Sequence, residues 1–146
     1  MKVYVAPPRG KLEKIAYTKW LEHYGHEIVW LDLRRKVKGP LILCGGADIG
    51  KDPDRDRKEF IWIKQALEAG HKILGVCRGM QILNLYFGGT VTDISDAIVE
   101  DHKSANFAEN TDHSGKPSQF HIVADLEDNL FNVNSRHHQH CPVLAD

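Results

Sequence analysis

The chain has 146 residues, 42% of them hydrophobic and 27% charged, enough for a single globular domain over residues 1–146 with an ordinary core. A formal net charge of −1 gives no electrostatic reason to expect nucleic acid or an anionic membrane as partner. No signal-peptide pattern opens the chain, no apolar run is long enough to span a bilayer, and the odd set Cys44, Cys77 and Cys141 argues against a disulfide framework, so a cytoplasmic protein is expected.

The first segment, Lys2 to Ala6, is short, β-branched and bounded by Pro7-Pro8-Arg9-Gly10, and predicts a strand. From Lys11, Leu12, Ile15, Ala16, Trp20 and Tyr24 recur at helical spacing, with Gly25 as the stop. Glu27 to Leu31 predicts a second strand and Gly39 to Cys44 a third, running into Gly45-Gly46. Asp52-Pro53-Asp54 opens a helix: Asp52 suits the N-cap, Pro53 the first turn, and Asp54 and Asp56 the positive end of the dipole. Phe60, Ile63 and Leu67 are expected to carry its inner stripe as far as Gly70. Lys72 to Val76, nearly all apolar, predicts a strand covered on both faces. The helix after Cys77 is apolar almost all round, predicting a buried central helix that stops at Gly88-Gly89. Beyond it Asp96 to Gly115 is polar and reads as loop, with short strands expected at Phe120 to Val123 and Phe131 to Val133. This alternation of strands and helices through short connections predicts a parallel sheet between layers of helices.

The most informative stretch is Ile73-Leu74-Gly75-Val76-Cys77-Arg78-Gly79-Met80-Gln81-Ile82-Leu83-Asn84. A buried strand there passes through a Gly-x-Cys-x-Gly turn straight into a helix, the pattern of a nucleophile elbow. Glycines two positions either side of the apex are needed because side chains there would collide with the neighbouring strand or helix. A thiol at a helix N-terminus feels the positive end of the dipole, which favours thiolate. Cys77 is therefore the candidate nucleophile.

Together with Leu43-Cys44-Gly45-Gly46-Ala47-Asp48-Ile49, Arg55-Asp56 with Glu59, Gly88-Gly89-Thr90, Asp93-Ile94 and Val133-Asn134-Ser135-Arg136-His137-His138-Gln139, this stretch resembles the class I glutamine amidotransferases, in their gamma-glutamyl hydrolase-like (peptidase C26-type) branch. The motifs occur in the family's order from about Leu43 to Gln139. The resemblance implies a flavodoxin-like three-layer α/β sandwich with a central, mostly parallel sheet. It implies cysteine-dependent hydrolysis of glutamine or another gamma-glutamyl amide through a thioester on Cys77. The oxyanion formed by thiolate attack needs donors already aimed at it. In the family these are backbone amides, here those of Gly46 and Arg78. Gly45 and Gln81 would hold the glutamyl group, and His137 would lie at the rim of the site on the substrate side. The implied ligand is a small gamma-glutamyl compound and no cofactor is expected; a synthetase partner or a homo-oligomer is left open.

The family's base and orienting carboxylate belong to a His-Pro-Glu motif that follows the Asn134–Gln139 segment, and the sequence to Asp146 contains none. The expectation is a domain incomplete at its C-terminus, without the family's last strands and nearly inactive as 146 residues. The alternative is a non-catalytic binding or regulatory module that keeps the glutamine pocket but has lost the His-Glu half of the triad. Other clusters read more plainly. The run His137-His138-Gln139-His140-Cys141 has good ligand chemistry, but adjacent histidines do not easily face one ion and no paired-ligand motif accompanies them, so no metal site is expected. Cys44 reads as structural, and Cys141 carries no motif. His102, His113 and His121 read as solvent-exposed, and Arg34-Arg35-Lys36 with Lys38 as a solvated crossover. Arg55 and Glu59, four apart on one helix, are spaced for an ion pair.

Overall fold

The structure, a computed structural model, describes residues 1–93, 119–124, 130–135 and 139–145. The polar stretch Asp96 to Gly115 and His137 lie outside the described residues. Those described fall into two compact units, Met1–Val91 with Cys141–Asp146, and Thr92–His140.

The first unit is built on strands β1 (Lys2–Ala6), β2 (Glu27–Trp30), β3 (Leu41–Leu43) and β4 (Ile73–Gly75), interleaved with helices α1 (Lys11–His23), α2 (Pro53–Glu68) and α3 (Arg78–Tyr86). The strands form one parallel sheet in the order β2-β1-β3-β4. Alternation along the strands divides the core between two faces. Val3 and Val5 of β1, with Ile42 and Cys44, pack beneath Leu21 and Tyr17 of α1. Tyr4 and Ala6, with Leu41 and Leu43, pack against Trp62, Ile63 and Ala66 of α2 and Ile82 of α3. Helices thus cover both faces, giving the three-layer α/β arrangement expected. Asp52 caps α2, its carboxylate accepting from the Arg55 amide at 3.2 Å, with Pro53 in the first turn and Asp54 and Asp56 at the dipole end.

Four details depart from the sequence reading, and each has a local cause. In α1 the stripe from Leu12 to Tyr24 faces outward, Leu12 being 81% and Tyr24 65% exposed, and the helix docks instead through Tyr17 and Leu21. In α2 the inner stripe is Glu59, Trp62, Ile63 and Ala66, while Phe60 and Leu67 are partly exposed. A charge at position 59 hides this register from a hydrophobicity pattern; ion pairs make its burial possible. Strand β4 is an edge of the sheet among the described residues, with Leu74 exposed, because no described strand pairs beyond it. Helix α3 buries Arg78, Gln81, Ile82 and Asn84 and exposes Met80, so its inner face is largely polar.

In the second unit β5 (Thr92–Asp93) pairs antiparallel with β8 (Gln139–His140), and β6 (Gln119–Ala124) with β7 (Leu130–Ser135). Gln139 donates from its amide to the Asp93 carboxylate at 2.9 Å, tying the ends of the first pair together. No helix among the described residues is long and apolar enough to cross a membrane.

The α2 register has a direct test. Ile63→Ala removes a fully buried side chain and should lower unfolding free energy by about 2–5 kcal/mol in urea titrations, whereas Leu67→Ala should lower it by about 1 kcal/mol or less. Equal losses would place the inner stripe where the sequence pattern alone put it.

Candidate active site

The site is assembled where β3 and β4 end. Val76 donates its amide to the Leu43 carbonyl at 3.0 Å, carrying the β3 pairing to the edge of the turn. The chain then reverses sharply. Cys77 has φ 54° and ψ −115° and is the single non-glycine residue with positive φ among those described. Strain of this kind amounts to of order 1–3 kcal/mol and persists only where surrounding packing enforces it. Here the enforcement is visible: a Cβ on Gly75 would come within 2.5 Å of the Gly79 carbonyl oxygen, and one on Gly79 would strike the Leu43 carbonyl. Strand β4 and helix α3 therefore meet backbone to backbone, and α3 lies directly on β3. Cys77 is the N-cap of α3, its carbonyl accepting from the Met80 amide at 2.9 Å, and its side chain is exposed.

The glycine turn after β3 lies alongside. A Cβ on Gly45 would sit 3.5 Å from the Cys77 Cβ, so the absence of a side chain lets the two turns approach. The first peptide of this turn is held at both ends: the Gly45 amide donates to the Tyr17 hydroxyl at 3.1 Å, and the Cys44 carbonyl accepts from Arg55 Nη2 at 3.0 Å. Arg55 Nη2 also donates to the Gly45 carbonyl at 3.0 Å. The Arg55 guanidinium lies where a Gly46 Cβ would go, so glycine at 46 leaves room for it.

Beneath both turns is a buried charge cluster. Glu59, fully buried, accepts from Arg55 Nε at 2.8 Å through Oε1 and from Arg78 Nη1 through Oε2. Arg78, with 2% of its side chain exposed, also pairs with Asp56, whose second oxygen accepts from the Gly50 amide at 2.9 Å. The residue after Cys77 is thus anchored by its side chain to α2. Removing one member of such a buried set leaves an uncompensated charge, which typically destabilises by about 3–5 kcal/mol.

Desolvation raises the Cys44 pKa to about 12, with a hydrogen bond from the Tyr17 hydroxyl pulling weakly the other way. Burial also pushes the Tyr17 phenol up, opposed by its bond to Gly45. Cys44 is therefore a neutral core thiol at ordinary pH, in keeping with a structural role.

The structure brings Cys77, Gly45, Gly46 and Arg78 to one end of the sheet. Gln81 lies one turn into α3, its amide reaching the Cys77 carbonyl at 3.3 Å, and is 6% exposed. His137, expected at the rim, is outside the described residues. The helical pattern does not single out Tyr17. Its spacing of four from Leu21 is the available signal, obscured by the apolar residues spread round the rest of α1.

The peptidase C26 family model matches residues 43–146. A glutamine amidotransferase-like protein of Lactococcus lactis subsp. cremoris, a YvdE homologue, is 33% identical over 162 residues, covering 86% of this chain and 82% of its own length. Its counterpart YvdE in L. lactis subsp. lactis strain IL1403 is 35% identical over 156 residues, and the match covers 86% of this chain and 66% of the relative. The crystal structure of a glutamine amidotransferase from Thermotoga maritima superposes with a TM-score of 0.65 at 16% identity, which shows the shared fold. The superposition takes in 99% of this chain but 63% of that one, so the chain spans less than two thirds of the solved relative.

The two thiols at this end of the sheet should differ sharply in reactivity. Iodoacetamide at pH 8 should modify exposed Cys77 in the folded protein and leave Cys44 unmodified, because Cys44 is buried and stays protonated until pH approaches 12. Peptide mass spectrometry reads the outcome, and Cys44 should label only after unfolding.

Proposed function

The chain belongs to the class I glutamine amidotransferase-like family, in its peptidase C26 branch, and from that premise we propose that Cys77 hydrolyses glutamine or another gamma-glutamyl amide through a thioester. The observation that carries this reading is the elbow. A cysteine is held at positive φ on the end of a strand, with its side chain exposed beside a glycine turn, an arrangement that an inert core thiol does not need.

In this reading the Cys77 sulfur, as thiolate, attacks the side-chain carbonyl carbon of the substrate. The carbonyl electrons move to oxygen, and the amides of Gly46 and Arg78 donate to the resulting oxyanion. Collapse re-forms the carbonyl and breaks the carbon–nitrogen bond, and the nitrogen leaves as a neutral amine or ammonia after taking up the proton released from the thiol. Water then attacks the thioester, giving the free carboxylate and regenerating the thiol. Proton transfer in both halves requires a base, for which the family uses the His-Pro-Glu pair absent from the sequence to Asp146. Gln81 and Gly45, and His137 in the segment before Gln139, are assigned to holding the glutamyl group.

A glutamine analogue bearing a diazoketone or chloroketone at the side-chain carbonyl tests the reading on the chain itself. It should label Cys77 stoichiometrically, excess glutamine should protect, and Cys77→Ser should abolish labelling while leaving the circular dichroism spectrum unchanged. Label that falls on Cys141 in place of Cys77, or labelling of Cys77 that neither glutamine nor other gamma-glutamyl amides slow, would overturn it. Saturable glutamine binding with an unreactive Cys77 would favour the non-catalytic binding module.

A further inference from the structure

We propose that Arg55 is a positioning residue for the oxyanion hole: it sets the direction of the Gly46 amide by holding the carbonyl of the same peptide unit. The inference rests on the acyl-transfer reading above and adds to it a residue that acts through the backbone rather than on the substrate.

The argument is one of peptide geometry. In a trans peptide the C=O and the following N–H lie in one plane and point in opposite directions. The structure has no cis peptide among the described residues, so the Gly45 carbonyl and the Gly46 amide are antiparallel. Arg55 Nη2 fixes the Gly45 carbonyl at 3.0 Å, so the Gly46 N–H points away from the guanidinium. The same nitrogen fixes the preceding carbonyl, that of Cys44, while Tyr17 receives the Gly45 N–H from the other side. With the first peptide held at both ends and the second at its oxygen, rotation of the Gly45–Gly46 plane is opposed in a segment whose glycines would otherwise permit it. The empty Cβ position of Gly46 is filled by the guanidinium, so the plane is also backed by van der Waals contact.

An arginine four residues from a glutamate on a helix is ordinarily a solvated pair of small consequence. Arg55 differs because its side chain is 11% exposed and Glu59 is fully buried. Its acceptors are a carboxylate on its own helix and two carbonyls on a different element. Nε faces Glu59 while Nη2 faces the turn, a division of labour that needs the planar fork of a guanidinium. Lysine keeps the charge but has one nitrogen at the end of a flexible stem, so it cannot hold both sides in a fixed plane. The other oxygen of Glu59 holds Arg78, whose backbone amide is the second proposed donor. Both donors are therefore referenced to the same carboxylate.

Reactions that do and do not build an oxyanion separate positioning from general integrity. Acylation by the γ-(4-nitrophenyl) ester of glutamate passes through a tetrahedral oxyanion, as thiolate attack forms the thioester and expels 4-nitrophenolate. This leaving group departs without protonation, so acylation requires the Cys77 thiolate but no general acid. Alkylation by iodoacetamide is direct displacement of iodide at carbon and builds none. In single-turnover experiments, corrected for the ester's spontaneous cyclisation, Arg55→Lys should slow the saturating, Cys77-dependent release of 4-nitrophenolate by about 10- to 100-fold. The ester concentration giving half the maximal rate, and the rate of Cys77 alkylation, should stay within about threefold of the parent, since neither depends on oxyanion stabilisation. Arg55→Met should be at least as slow in acylation; if it does not fold, Arg55→Lys carries the comparison. Acylation and alkylation falling together, or acylation unchanged, would overturn the positioning role while leaving the acyl-transfer reading in place. No Cys77-dependent release in the parent chain would overturn that reading and this role with it.

Discussion

The Glu59 carboxylate is the constraint on which the rest of this end of the molecule depends. It is fully buried, and each oxygen holds a different arginine: Arg55 on its own helix and Arg78 at the start of α3. An ion set like this one is poor evidence for stability, since desolvation offsets much of the attraction and a well-packed apolar set of the same volume can be as stable. Its value lies in direction. Apolar packing would let α2, the glycine turn and the elbow slide by fractions of an ångström at little cost. Charge-assisted hydrogen bonds with the fork geometry of arginine tolerate far less displacement.

The elbow and the glycine turn illustrate how backbone strain is contained. The positive φ of Cys77 is unfavourable locally, and it is sustained because Gly75 and Gly79 let strand, helix and neighbouring strand meet at backbone contact. On the opposite face of the sheet, Tyr17 supplies a hydroxyl that serves Gly45 and Cys44 at once, so that α1 contributes to the glycine turn. The turn is therefore gripped from both layers of helices, by a phenol on one side and a guanidinium on the other.

Much of this was legible in the sequence, and the misses share a physical origin. The order of strands and helices, the cap at Asp52 and the elbow at Cys77 follow from short-range chemistry: turn residues, capping and close approach. The Arg55–Glu59 pair was legible from spacing, but its burial was not. The facing of α1, α2 and α3 is not legible because a hydrophobicity pattern treats charge and amide as outward. Glu59, Arg78, Gln81 and Asn84 point inward here, and the apolar Leu12, Tyr24 and Met80 point out. A polar residue faces inward when partners exist in another element, and partners distant in sequence leave no periodic trace. The exposure of Leu74 is a related case, since a continuous apolar run does not reveal whether its strand has a neighbour on each side. At the turns, the glycines and the cysteine are legible because local sequence alone marks them. Tyr17 is not, because its partner is a turn that follows much later in the chain.

The side chain of Asn84 has a different kind of consequence. Its amide nitrogen donates to the carbonyls of Thr90 and Val143 at 3.0 Å each, its oxygen accepts from the Ala145 amide at 2.8 Å, and the Thr90 amide itself reaches the Val143 carbonyl at 2.9 Å. The point where the chain leaves the first unit and the point where it returns are thus stapled together. Closing a loop of n residues scales as roughly (3/2)RT ln n, so doubling the length between such points adds only about 0.6 kcal/mol. Thr90 and Val143, far apart in sequence, are thus held one asparagine apart within the first unit. A change at Asn84 therefore loosens a closure that four hydrogen bonds now hold, whereas a change in the length of chain between its two points alters only a logarithm.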